Sequence, residues 1–139
     1  MGNMRILARL IHLAGDARLE RLFSRPELER VLFGALARRF DPRVAPGFHG
    51  HVVYELQRPA TAGPTTMWTL AVADERALVI AGAVPDAALR LRMPVADLLR
   101  VALGAVDPAE PVLLNRAKAK GDIGLAARLP EMFRAPRVR

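Results

Sequence analysis

Two histidines flank a glycine at His49-Gly50-His51, and on an extended chain residues two apart share one face, so both imidazoles could approach one metal ion. A zinc site asks for at least a third protein ligand. The sequence identifies none, and His49 and His51 are read as surface or loop side chains. Nucleophilic catalysis needs a hydroxyl or thiol held beside a base. The chain has no cysteine, its one serine, Ser24, stands at an expected helix start, and it has no G-x-S-x-G turn. Asp74 and Glu75 could in principle share acid-base work, but a polar pair between two strand patterns is turn chemistry. Gly121-Asp122-Ile123-Gly124 matches the G-x-x-G pattern with which KH domains clamp a nucleic-acid backbone. Against that match, an acid sits in its middle, a strand pattern precedes it, and no aromatic residues interleave with the nearby basic ones. No set of residues suited to covalent, metal or cofactor chemistry emerges, so the expectation is a non-enzyme with no cofactor. Burial and charge are the chemistry that remains.

The 139 residues are 52% hydrophobic, 25% charged and 5% aromatic, a composition that folds as one compact domain and excludes a disordered or fibrous chain. Zero cysteines remove disulfides, thiolate metal sites and iron-sulfur clusters, and fit a reducing compartment. The longest apolar candidate, residues 77–85, falls short of the roughly 18 to 20 residues that span a bilayer. Arg9, His12 and Asp16 interrupt the N-terminal apolar residues, unlike a secretory signal. A soluble, cytoplasmic protein is expected. The net charge of +7 is uneven: residues 1–43 carry nine arginines against five acids, residues 44–115 five against seven, and residues 116–139 seven basic residues against two acidic. Basic ends flank an acidic middle.

The elements that would position these residues can be read from periodicity. Ile6, Leu7, Leu10, Ile11 and Ala14 recur at helical spacing within residues 4–23, giving one or two amphipathic helices. Ser24-Arg25-Pro26-Glu27 reads as a helix start, with Pro in the first turn and an acid at the positive dipole end. Leu28, Val31, Leu32, Ala35, Leu36 and Phe40 form its apolar stripe, and Asp41-Pro42 ends it. Val52, Tyr54 and Leu56 then alternate with polar neighbours, as do Trp68, Leu70 and Val72, and both segments read as half-buried strands. Asp74-Glu75-Arg76 turns the second into residues 77–81 as a hairpin, and Leu89, Leu91 and Met93 alternate with Arg90 and Arg92 in a fourth strand. Pro94 opens a helix in which Val95, Leu98, Leu99, Ala102 and Leu103 fall on one face, with Gly104 at its end. After a proline-bounded loop at 107–111, Arg116, Lys118 and Lys120 alternate with Ala117 and Ala119, implying a fifth strand with a basic outer face and a small-residue inner face that leaves volume empty. Gly121 supplies a turn, Asp122 caps a final helix, and Pro130 should kink or shorten it.

The order of these pieces carries a resemblance. Pro85-Asp86-Ala87-Ala88-Leu89-Arg90-Leu91, Val95-Ala96-Asp97-Leu98-Leu99-Arg100 followed by Gly104, and Lys118-Ala119-Lys120-Gly121-Asp122 running into Leu125-Ala126-Ala127-Arg128-Leu129 resemble the sterol carrier protein 2 family of lipid-binding domains. That family shows a strand, a helix with an Asp-Leu pair, a loop, a basic strand ending in Gly-Asp or Gly-Asn, and a closing helix. The likeness extends more loosely back to about Pro26. The chain departs from the pattern at Pro130 and at Ala117 and Ala119, where larger apolar residues are usual. The division that follows is an N-terminal amphipathic extension over 1–25, a sterol carrier protein 2-like domain over 26–134 and a basic tail over 135–139.

The resemblance implies an α+β fold: a five-stranded, mainly antiparallel sheet covered by helices, enclosing an apolar tunnel that takes up a sterol, a fatty acyl chain, an acyl-CoA or another lipid, with no catalytic residues. On that reading the cavity is lined by Trp68, Leu70, Leu91, Met93, Leu99, Leu103, Ala117, Ala119, Ile123, Leu129, Met132 and Phe133. Sequence alone leaves open whether those residues enclose a space or fill it. Arg5, Arg9, Arg18 and Arg21 would draw the N-terminal helix to an anionic membrane. Two further readings stand beside the carrier: a subunit that presents quinone, steroid or acyl intermediates to a lipid-metabolising enzyme, and a nucleic-acid module using Arg116, Lys118, Lys120 and Arg128, the less favoured of the two.

Overall fold

The computed structural model describes residues 26–57, 65–102 and 110–133. Their elements run α1 (Pro26–Arg38), β1 (Gly50–Gln57), β2 (Thr66–Ala73), β3 (Arg76–Ala81), β4 (Leu89–Pro94), α2 (Val95–Ala102), α3 (Glu110–Leu113), β5 (Lys118–Gly121) and α4 (Ile123–Met132). The strands form one sheet in the order β3-β2-β1-β4-β5. The pairs β1/β2, β2/β3 and β4/β5 are antiparallel, whereas β4 returns to lie parallel to β1. The fold class expected from the sequence is thus the observed one, with one parallel pair in a mostly antiparallel sheet. The expected extension over 1–25, the basic tail and Leu103 with Gly104 lie outside the described residues, as do Arg5, Arg9, Arg18 and Arg21.

The period-two pattern sets the inner face. Val52 pairs with Leu70 and Leu89, and Tyr54 pairs with Trp68 and Leu91, so each row across the sheet is apolar on the side that the helices cover. Val53 and Thr69 point the other way yet are buried. The connection 82–88 runs against that face, where the Thr69 hydroxyl donates to the Gly82 carbonyl at 2.7 Å and Arg90 donates to the Val84 carbonyl at 3.2 Å. The hairpin between β2 and β3 turns on Asp74 and Glu75, both with positive φ (52° and 64°), the pairing of conformations that matches strand twist in a two-residue loop.

α1 turns inward a face that only partly overlaps the stripe expected of it. Leu28 and Val31 are exposed, whereas Leu32, Phe33 and Leu36 are buried with Glu29. The reason is aromatic: Phe33 stacks on Trp68 at 5.6 Å and meets Tyr54 edge-on at 5.2 Å. Glu29 is drawn inward with it, its Oε1 accepting from Trp68 Nε1 at 2.8 Å and from the Thr66 hydroxyl at 3.0 Å. A hydrogen-bonded carboxylate can occupy a site that would expel an unpaired one.

The last turn of α1 tightens into i→i+3 bonds, Arg39 N–H to the Leu36 carbonyl and Phe40 N–H to the Ala37 carbonyl. Arg39 then reaches the end of α2, its Nη1 donating to the Ala102 carbonyl at 2.6 Å. This satisfies a carbonyl that the helix end leaves open, and burial pulls the guanidinium below its ordinary pKa. α3 begins within the segment 107–111 that reads as loop; its turn closes through Arg116 and Ala117 N–H groups donating to the Pro111 carbonyl at 2.8 and 3.0 Å, with Asn115 at φ 58°.

Candidate functional site: an apolar cavity at the edge of the sheet

The inner face of the sheet is filled on one half and hollow on the other. Over β1 and β2 the aromatic rings of Phe33 and Trp68 leave no room. Towards β5 the side chains shrink to Ala117 and Ala119, and there a cavity of about 220 Å³ opens between the sheet and the helices. Its floor is a row across three strands, Tyr54 on β1, Leu91 on β4 and Ala119 on β5, in register with one another, with Met93 and Ala117 beside it. Leu36 of α1, Leu98, Val101 and Ala102 of α2, Pro111 and Val112 of α3, and Ala126, Leu129 and Pro130 of α4 complete the wall with Phe133. Phe133 is braced by Phe40 at 5.5 Å.

Local sequence explains why these elements stand where they do. Gly121 takes φ 118°, and a Cβ there would lie 2.5 Å from the Ala88 carbonyl oxygen. The close approach lets Asp122 N–H donate to that same carbonyl at 2.9 Å. Asp122 then caps α4 through its side chain, which accepts from Leu125 N–H at 3.0 Å. Pro130 sits inside α4; it withholds one backbone donor, and the helix ends two residues later. On the opposite wall Asp97, whose side chain is only 3% exposed, pairs with Arg116 at 3.1 Å, tying α2 to the residue that leads into Ala117.

Of the residues expected to line a cavity, the structure places Leu91, Met93, Ala117, Ala119, Leu129 and Phe133 on its wall. Trp68, Leu70, Leu99 and Met132 are buried elsewhere in the packed core. Trp68 and Leu70 lie on β2, three strands from β5 and beneath α1, and Leu99 is buried in the core beside the cavity-lining Leu98. Ile123, the first residue of α4, is 62% exposed and lines nothing, because the apolar face of the helix begins at Leu125. The reading missed Tyr54, Leu36, Leu98, Val101, Ala102, Pro111, Val112, Lys118, Ala126 and Pro130. Leu98 and Ala102 stood in the apolar stripe of α2, and Tyr54 stood on the inner face of β1; only the strand order brings Tyr54 opposite Leu91.

The wall is apolar, with two side chains bearing polar groups among the described residues. Tyr54 is buried, and burial alone pushes its phenol above its usual pKa. Lys118 is exposed at the rim. The rim also carries Val112, which with Leu113 and Leu114 leaves an apolar strip 57%, 81% and 56% exposed immediately before the basic residues of β5. The described residues hold no group of three or more His, Asp or Glu able to hold a metal; His49 is exposed and His51 half-buried. Among the described residues no helix is long and apolar enough to cross a membrane.

A family model, the SCP-2 sterol transfer family, matches residues 41–134. No curated protein sequence matches the chain. Among solved structures, the sterol carrier protein domain 2 of Helicoverpa armigera superposes with a TM-score of 0.62 at 15% identity, over 81% of this chain and 89% of that one. Sterol carrier protein 2 like 2 from Aedes aegypti, in a structure described as palmitated, gives 0.63 at 15% identity over 79% and 97%. The inverting sec-alkylsulfatase Pisa1 from a Pseudomonas species gives 0.65 at 15% identity over 80% of this chain, which spans 17% of the sulfatase.

Proposed function

The chain belongs to the SCP-2 sterol transfer family, and from that premise we propose that it is a non-catalytic lipid carrier that holds one apolar molecule between the β4–β5 half of the sheet and helices α2 and α4. The observation that carries this reading is the cavity itself, apolar on nearly all of its wall and lined at the sheet edge by the exposed Lys118 and Ala119. Apolar surface withdrawn from water contributes about 25 cal/mol per Å², so a ligand burying roughly 300 Å² gains on the order of 7 kcal/mol before ordering costs. That gross term alone corresponds to a Kd of about 10 μM, an upper limit on the affinity that burial supplies without any covalent step. The volume is below the range of about 300 to 1,000 Å³ usual for drug-sized sites, so a long acyl chain or a sterol extends through the mouth or parts the walls.

Loading at an anionic lipid surface belongs to the same reading. The exposed strip Val112-Leu113-Leu114 lies beside the mouth and is followed by Arg116, Lys118 and Lys120, an apolar wedge with basic flanks of the kind that settles into an interface of negative headgroups. Presentation of the bound molecule to an enzyme would use the same open edge.

Two measurements test the carrier. Native mass spectrometry and solvent extraction of freshly purified protein should release an apolar molecule at near one per chain, or the empty protein should take up a fluorescent polyene fatty acid. Replacing Ala119 by Leu adds three carbons to the cavity floor; it should cut that uptake at least tenfold while leaving Tm unchanged or higher, as cavity filling does. A protein that yields no lipid and takes up no probe, or an Ala119→Leu variant that binds as well as the parent, overturns the reading.

A further inference from the structure

The cavity wall is apolar except for the exposed Lys118 and one buried phenol. Tyr54 stands on β1, the middle strand, in register with Leu91 and through it with Ala119 at the open edge. With strands about 4.8 Å apart, the row is about 10 Å from rim to inner end, roughly the length of an eight-carbon chain. Tyr54 is only 6% exposed, and no group among the described residues hydrogen-bonds its hydroxyl. A phenol so buried, facing neither partner nor space, would forfeit its hydration for nothing. Tyr54 lines the cavity, and the cavity is where its O–H can find an acceptor.

We propose that Tyr54 is the polar anchor of the cavity, donating a hydrogen bond to a neutral oxygen (a hydroxyl, ketone or ester carbonyl) on the end of the apolar ligand that enters first. The charge distribution selects a neutral oxygen over an anionic one. The nearest cation on the wall is Lys118, on the edge strand and exposed, two strands from Tyr54. A carboxylate driven to the inner end would lie in apolar surroundings with one donor and no counter-charge, a costly arrangement. A carboxylate left at the rim would instead stay hydrated beside the Lys118 ammonium. Burial also holds the phenol in its protonated, donating form, since it raises the Tyr54 pKa.

This inference rests on the carrier reading and can fail separately from it. The probes are 2-octanone, n-octane and octanoate, titrated into the native protein and into Tyr54→Phe, which removes one oxygen and keeps the ring against Phe33. The ketone-to-alkane affinity ratio should fall about three- to tenfold in Tyr54→Phe, the loss expected for one neutral hydrogen bond, while octane and octanoate bind as before. Because the chain has one tyrosine, the parent should also show a near-ultraviolet tyrosine difference band on saturation with the ketone and none with the alkane. An unchanged ratio with octane still binding overturns the anchor and leaves the carrier standing. A loss of octanoate affinity as large as that of the ketone overturns the preference for a neutral oxygen. Failure of all three probes to bind the parent overturns the carrier reading and the anchor together.

Discussion

At the scale of single residues, the cavity depends on a few side chains whose surroundings do more than their identity. Tyr54 is one apolar-face residue among several on β1, and becomes distinctive because the space beside it is empty and its phenol is buried. Since burial raises its pKa in the folded state, the folded protein holds that proton more tightly than the unfolded chain, whose tyrosine titrates near 10. The contribution to stability is complete below that pH and is lost as pH rises above it. A spectrophotometric titration reports this group alone, because the chain has one tyrosine. Native protein should show no tyrosinate absorbance at pH 10 to 11, whereas protein in urea should ionise about half its tyrosine near pH 10. Ionisation of the native protein at its ordinary pH would show that the phenol is not buried. Glu29 illustrates the same dependence on surroundings. Its carboxylate fits the interior because the Trp68 indole and the Thr66 hydroxyl reach it, and helical spacing around α1 gave no hint that a glutamate would face inward.

At the scale of elements, the hollow exists because two neighbouring pieces are built differently. Ala117 before β5 and Ala119 within it stand where β1 and β2 offer Tyr54, Leu56, Trp68 and Leu70, so α4 rests on the sheet with space beneath it. The junction of β5 and α4 is held by Gly121, whose φ of 118° and 2.5 Å approach to the Ala88 carbonyl leave no place for a Cβ. Gly121→Ala should therefore destabilise the protein by about 2 to 3 kcal/mol, from left-handed strain and the displaced backbone together. Urea unfolding followed by the fluorescence of Trp68, the sole tryptophan, measures it. A loss under 0.5 kcal/mol would mean that the junction relaxes freely. Much of this was legible beforehand: alternation located four of the five described strands and the turn at Asp74-Glu75 the other, Asp122 announced the start of α4, and alternating alanine and lysine foretold empty volume behind β5. The short α3 was not legible, because four residues between a proline-bounded segment and a strand carry no helical period. The inward face of α1 was misjudged by one helical position, since apolar periodicity cannot register that Phe33 will stack on Trp68 from a strand more than 30 residues away.

At the scale of the whole molecule, the opening, the apolar strip at 112–114 and the basic residues of β5 lie at one edge of the sheet. A carrier that loads there should associate with vesicles rich in anionic lipid, and association should weaken several-fold between low and high salt as the Debye length shortens. Leu113→Asp with Leu114→Asp, both at exposed positions, should reduce vesicle binding without lowering Tm. Sedimentation with vesicles of zwitterionic lipid, with and without phosphatidylserine, gives both readings. Binding that ignores salt and the two aspartates would remove this surface from the carrier's account. The sulfatase whose fold this chain resembles spans several times its length, whereas the match takes in 89% and 97% of the two insect sterol carrier structures.

The amino-acid sequence by itself determined the described strands, the helices α1, α2 and α4, the turn at Asp74-Glu75, the small-residue face of β5 and the family, because each is written in local periodicity, capping chemistry or a short ordered set of motifs. Only the tertiary structure decided which buried residues form a wall and which form solid core. Period two assigns a side chain to a face of the sheet, but packing assigns it to a particular place on that face. The parallel return of β4 beside β1 sets Tyr54, Leu91 and Ala119 in one row, and the stacking of Phe33 on Trp68 fills the other half. The result is a closed apolar core and, next to it, a cavity with a buried phenol on its wall.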